Sequence, residues 1–121
     1  MQGGELAKAL WTPKPSSHEQ EMNYRKDYQT TRSRKALRWL LANCVESGMS
    51  HRDVDSVVGE PGELEENSGW LKRNSTYRVD DKVYRYGPDD GGRVVYLFFR
   101  DEKLVNFERE RFADSGRDFN S

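Results

Sequence analysis

The stretch from Gly48 to Pro61 writes out a single short helix together with its start and its stop. Gly48 ends whatever precedes it. Ser50 is a good N-cap, because its hydroxyl can accept an orphan N–H of the first helical turn. Asp53 places a negative charge in that turn, where the helix dipole favours it. Val54, Val57 and Val58 fall at i, i+3 and i+4 and form one apolar face. Gly59 can adopt the left-handed conformation that closes a helix, and Pro61 prevents its resumption. An amphipathic helix this short needs a covering surface, so the question is what the rest of the chain supplies.

Upstream, the pattern is also helical. Ser17 followed by Gln20 is a capping-box signature and predicts a helix from His18. It runs toward Glu46, with Thr30-Thr31 as the place for a break. Leu37, Leu40, Leu41, Cys44 and Val45 share one stripe, with Trp39 on its edge, and that stripe needs a sheet or another helix against it. Downstream, Glu60–Asn67 reads as an acidic loop. From Trp70 the period changes to two. Tyr77 and Val79 predict a first short strand and Val83–Tyr86 a second, with Tyr84 and Tyr86 on one face. Residues 87–92 are turn-forming. Val94–Phe99 is apolar on both faces, as a covered central strand should be. After a turn at Asp101-Glu102, Lys103–Glu108 alternates with Val105 and Phe107 on one face. The expectation is an α+β fold, with helices packed on one face of a three- to four-stranded antiparallel meander sheet.

The residues Gly48, Met49, Ser50, Val54, Gly59 and Pro61, followed by a hairpin ending in Leu97–Val105, resemble the SmpA/OmlA (BamE-like) family of small outer-membrane assembly lipoproteins. The wider fold group includes the β-lactamase inhibitory proteins. The resemblance covers roughly residues 47–108. It implies small helices on one face of an antiparallel sheet and a protein-binding, non-enzymatic role. The chain departs from that pattern in three places. A long charged helical region precedes the Gly-Met turn, the link after Pro61 is longer and acidic, and the turn after Phe99 lacks glycine or asparagine. The matching positions are structural, so they carry over a fold and no contact residue.

Composition sets the limits. The chain has 121 residues, enough for one domain with tails and a modest core. The expected organisation is an N-terminal arm at 1–17, mobile or docked through Leu6, Leu10 and Trp11, an α+β domain at 18–112, and a charged tail at 113–121 anchored by Phe112 and Phe119. Apolar and charged residues each make up 34%, so part of the chain lies outside the core. The net charge of −1 gives no whole-molecule signal for nucleic acid. A single cysteine, Cys44, excludes an internal disulfide and a cysteine zinc cage. Leu40–Cys44 mimics a lipobox, but Arg38 and the nearby basic residues interrupt the apolar run a leader needs, so Cys44 reads as a small buried hydrophobe. Met1–Leu10 contains Glu5 and Lys8 and is not a secretory leader. The expected compartment is cytoplasmic if that start is native, and periplasmic or envelope-associated if a leader was removed. No apolar run is long enough to span a membrane.

No nucleophile elbow, phosphate loop or dinucleotide fingerprint is present. His18 and His51 are the only histidines, and neither has a second imidazole or thiolate at metal-binding spacing, so no metal and no cofactor is expected. His51 reads as a solvated first-turn histidine. The leading expectation is a non-enzymatic domain that binds a protein partner through its sheet face or edge, with Trp70, Tyr84 and Tyr86 as aromatic anchors; the two tyrosines serve equally well as core. An exposed edge would also pair a homodimer. The alternative is polyanion binding, to nucleic acid or an anionic membrane, by the basic helix carrying Arg25, Lys26, Arg32, Arg34, Lys35 and Arg38, with Tyr24, Tyr28 and Trp39 interleaved.

Overall fold

A computed structural model describes residues 17–73 and 76–113. The N-terminal arm with Leu6, Leu10 and Trp11, and the tail with Phe119, lie outside the described residues. Helix α1 spans Ser17–Thr31, α2 Arg34–Cys44 and α3 His51–Val58. Strand β1 is Glu63–Leu64, and a short 3-10 turn follows at Gly69–Leu71. Strands β2 (Lys82–Tyr86), β3 (Val95–Arg100) and β4 (Lys103–Val105) precede a last helical turn, α4, at Glu110–Ala113. The four strands form one antiparallel sheet in sequence order. The chain is an α+β protein, as the periodicity predicts.

Helix α3 forms as its sequence dictates. Ser50 accepts the Asp53 N–H at 3.1 Å, and Gly59 takes φ +89° while donating to the Asp55 carbonyl at 2.8 Å. Val54, Val57 and Val58 are buried. Helix α1 completes the C-terminal cap of α3. Arg25 Nε donates to the Val57 carbonyl (2.8 Å) and Gln29 Nε2 to the Gly59 carbonyl (2.9 Å), which satisfies carbonyls that no helical N–H reaches.

The long upstream helix breaks at Arg32-Ser33, just beyond the threonine pair. Ser33 caps α2 by accepting the Ala36 N–H (3.1 Å). Arg32 sits at φ +60°, an unusual conformation for a residue with a side chain. Its surroundings over-determine that conformation. The guanidinium forks onto Glu60 at 2.6 and 3.0 Å, lies over the Tyr28 ring at 4.3 Å, and donates to the Pro88 carbonyl. Its own carbonyl accepts the Asp90 N–H at 2.7 Å. The break between α1 and α2 is therefore tied to both the α3 exit and the β2–β3 turn.

The core lies between the helices and one sheet face. Leu37, Leu40, Leu41 and Val45 of the predicted stripe meet Tyr86, Leu97, Phe99 and Leu104. Phe112 closes the end of the cluster. The Gly48–Ser50 segment runs alongside β4 as a backbone clasp: Gly48 N–H donates to the Leu104 carbonyl, and Leu104 N–H to the Met49 carbonyl, each at 2.8 Å.

Three expectations about the strands need correction. Glu63–Leu64, inside the expected acidic loop, is strand β1, paired Glu63 to Arg85 and Leu64 to Tyr84. Tyr77 and Val79 form no strand. Asp81 takes the Arg78 N–H on its carboxylate (2.8 Å) and donates its own N–H to the Arg78 carbonyl (3.0 Å), which folds this stretch into a turn. Val79 is left 94% exposed. The last strand also stops earlier than its alternation suggests, at Val105, because Asn106 turns at φ +55°.

Candidate functional site

Cross-strand register decides what each aromatic side chain does. Tyr84 opposes Leu97 and Tyr86 opposes Val95, which puts both tyrosines on the helix face. Tyr86 is completely buried, and its hydroxyl donates to Asp55 Oδ1 at 2.7 Å. The same carboxylate oxygen accepts the Gly62 N–H at 3.1 Å. Burial first, and then the Asp55 carboxylate, push the Tyr86 phenol well above its usual range. Tyr86 is therefore a core residue that ties α3 to the sheet, and it offers no surface to a partner. Tyr84 is half-buried against the core and stacks on the His51 ring, with centroids 4.9 Å apart and planes 11° from parallel.

That stacking revises the reading of His51. It is half-buried rather than solvated, with Nε2 3.2 Å from Glu102 and Nδ1 3.6 Å from Asp55. The cluster joins α3 to the β3–β4 turn. It contains no nucleophile, and no group of three or more histidine, cysteine or acidic side chains among the described residues could hold a metal ion.

Trp70 has a different setting. It lies on the outer face, opposite the helices, and is 54% exposed. Tyr96 holds it edge-on, with centroids 5.8 Å apart and planes at 85°. The segment that carries it covers the outer face with few backbone pairings. Tyr77 stacks on Phe98 at 4.0 Å, and Arg100 forks onto Asp81 at 2.8 and 2.9 Å. Arg85, beside Tyr96 in the register, pairs with Glu63 and with Glu65, the latter at 3.0 Å. Lys72 donates to the Val79 carbonyl (2.9 Å) and so brings the exposed Val79 to the same segment. The fork from Arg100 holds the Asp81 carboxyl below its usual range despite burial. Trp70 is thus a projecting indole on a face otherwise tied down by aromatic stacks and ion pairs.

The six basic residues proposed for a polyanion differ in their settings. Arg25 caps α3 and pairs with Glu21. Arg32 is held by Glu60. Burial raises the Glu60 pKa, but the hydrogen bonds from Arg32 and Tyr28 outweigh it and bring the carboxyl below its ordinary value. Lys26 and Lys35 are exposed. Arg34 and Arg38 turn toward the start of β3, where they line a cleft with Arg93 and Arg111. Among the interleaved aromatics, Tyr28 is fully buried, and Tyr24 stacks on Trp39 at 4.5 Å. Sequence reasoning missed Arg93 and Arg111 because they come from a turn and a tail with no periodicity to relate them to α2.

Cys44 is half-buried against the core. Burial, with the nearby Glu21 carboxylate, pushes its thiol up to about 11. No described helix is long and apolar enough to cross a membrane. By its geometry the protein is a small α+β domain with one helix-packed sheet face and one loop-covered face. Set against known proteins, it matches no family model, no curated protein and no solved structure.

Proposed function

We propose that this chain is a non-enzymatic protein-interaction domain, of the envelope-associated kind that the SmpA/OmlA resemblance implies. It engages its partner through the outer sheet face with Trp70 as the anchor. The observation that carries this reading is the 54% exposure of Trp70 on a mount fixed by Tyr96. A rigid, half-desolvated indole loses little entropy when a partner covers it, and Trp and Arg dominate the energetics of interfaces. Arg85, Glu63 and Glu65 supply a charged rim. The helix-facing Tyr84 and Tyr86 act indirectly, by holding the sheet that presents this face.

The test is capture from an extract of the source cells at high salt, comparing wild type with Trp70→Ala. The expected result is a protein retained by wild type and lost from the variant, with the thermal melt of the variant unchanged. Equal retention by both would remove Trp70 from the interface. Recovery of nucleic acid or lipid, at low salt only, would favour the polyanion reading instead.

A further inference from the structure

At the start of β3 a cleft of about 390 Å³ opens between α2, α4 and the segment carrying Leu71 and Tyr77. Four guanidinium groups line it. Arg34 and Arg38 come from successive turns of α2, Arg93 lies two residues before β3, and Arg111 belongs to α4. Among the described residues, the one carboxylate in the lining is Asp89. Its Oδ1 accepts the N–H groups of Gly91 (2.8 Å) and Arg93 (3.0 Å), and its Oδ2 lies 4.0 Å from Arg34. Arginine thus outnumbers carboxylate in the described lining, in a chain whose net charge is −1.

The arginines divide by role. Arg38 is a brace: it donates to the Arg111 carbonyl at 2.6 Å and lies over the Phe112 ring. Arg93 and Arg111 are exposed, and neither side chain makes an ion pair among the described residues. The apolar part of the lining, which serves as its floor, comes from Leu37, Val95 and Phe112 on the helix side and from Tyr96 and Phe98 on the outer face. A guanidinium fork matches the geometry of phosphate and carboxylate, and an apolar floor of this volume suits a compact ligand body.

We infer that this cleft binds a small organic anion, with a phosphate or carboxylate head held by Arg93 and Arg111 and a flat apolar body seated on the floor. The cleft borders the Trp70 face and shares Tyr96 with it, but small anionic probes and arginine variants leave Trp70 itself unchanged, so either reading can fail without the other.

The test is an NMR titration of the full chain, following backbone amides and arginine Nε resonances, with naphthyl phosphate, naphthoate and inorganic phosphate as probes. The expected result is saturable shifts confined to residues around 93–96 and 111–112. Either naphthyl probe should bind about tenfold tighter than inorganic phosphate, because its body covers apolar surface. Whichever naphthyl probe is tighter identifies the natural head group as phosphate or carboxylate. Arg93→Glu/Arg111→Glu should weaken the tighter probe about tenfold or more. Lys26→Glu/Lys35→Glu makes the same change in net charge elsewhere and should leave the affinity within about twofold. Arg93→Gln alone, at an exposed position, gives the same direction of effect if the double variant unfolds. Absence of saturable shifts at millimolar probe, shifts centred elsewhere, or equal loss in the two double variants would overturn the proposal.

Discussion

The two faces of the sheet are both covered, yet by different physics. On the helix face, aliphatic side chains of α2 and α3, with Tyr28 of α1, pack with Leu97, Phe99 and Leu104. Non-directional burial contributes most of the energy there, and the Ser33 and Ser50 caps and the Gly59 exit satisfy helix-end backbone groups beside it. On the outer face, an irregular segment is held by a few directional contacts. Tyr77 stacks on Phe98, Trp70 meets Tyr96 edge-on, and Arg100 and Arg85 fork onto carboxylates. Such contacts fix position well and add modest stability. The difference teaches where the molecule can change. The helix face specifies the fold, and the outer face can present a projecting side chain without endangering it.

That contrast can be tested most severely at the core. Phe99→Ala, on the helix face, should cost about 3–5 kcal/mol in denaturant unfolding, from lost burial plus the cavity left behind. Tyr77→Ala, its counterpart on the outer face, should cost about 1–2 kcal/mol, mainly the lost stacking on Phe98. Equal losses would erase the distinction. An effect between these two, about 1–3 kcal/mol, is expected for Gly62→Ala, because a Cβ there would run into the buried Tyr86 ring. Restoration of stability by a second change, Tyr86→Leu, would locate the clash at that contact.

Acid should sharpen the comparison further. The carboxyls of Asp81, on the outer face, and Glu60, beside the helices, both titrate below their ordinary values in the folded chain. The unfolded chain therefore takes up protons first as pH falls. Their stabilisation is complete above the ordinary carboxylate range and declines below about pH 4, disappearing as pH passes the lowered folded values. Denaturation midpoints measured between neutral and acidic pH should fall accordingly, and Asp81→Asn should flatten that slope. An unchanged slope would mean that Arg100 does not hold the Asp81 charge in solution. The mildest probe is chemical. With its thiol raised to about 11, Cys44 should react with iodoacetamide at pH 8 about a hundredfold more slowly than an unperturbed thiol. Denaturant should restore the rate. Fast labelling of the native protein would show that the helix face opens far more readily than its packing implies.

The same contrast explains what the sequence made legible. Helix α3 could be read to its caps because Ser50, the valines and Gly59 act within a few residues of one another. The stripe of α2 and the doubly apolar β3 were equally local. The outer face resisted reading because its partners lie far apart in the chain: Arg85 selects Glu63 and Glu65, and Arg100 selects Asp81. Those distant charges make Glu63–Leu64 a strand and Tyr77–Val79 a turn. Among the three proposed anchors, period two placed Tyr84 and Tyr86 on one face of β2. It carried no information about which face the helices would cover. Trp70 stood out by residue type alone. In the basic helix, the pattern of charge was visible, but the capping role of Arg25 and the Glu60 fork of Arg32 depend on α3 packing against α1.

The backbone clasp between Gly48–Ser50 and Lys103–Leu104 gives the molecule a sense of time. The α1–α2 hairpin and the β2–β3 hairpin each close short loops and can form early. The clasp joins segments nearly half the chain apart, so its hydrogen bonds repay a large loop-closure entropy only after both hairpins stand. Contacts made that late stabilise the native state without stabilising the barrier to reaching it. The clasp is accordingly expected to act as a brake on unfolding: a variant that weakens it should unfold faster while folding at an unchanged rate.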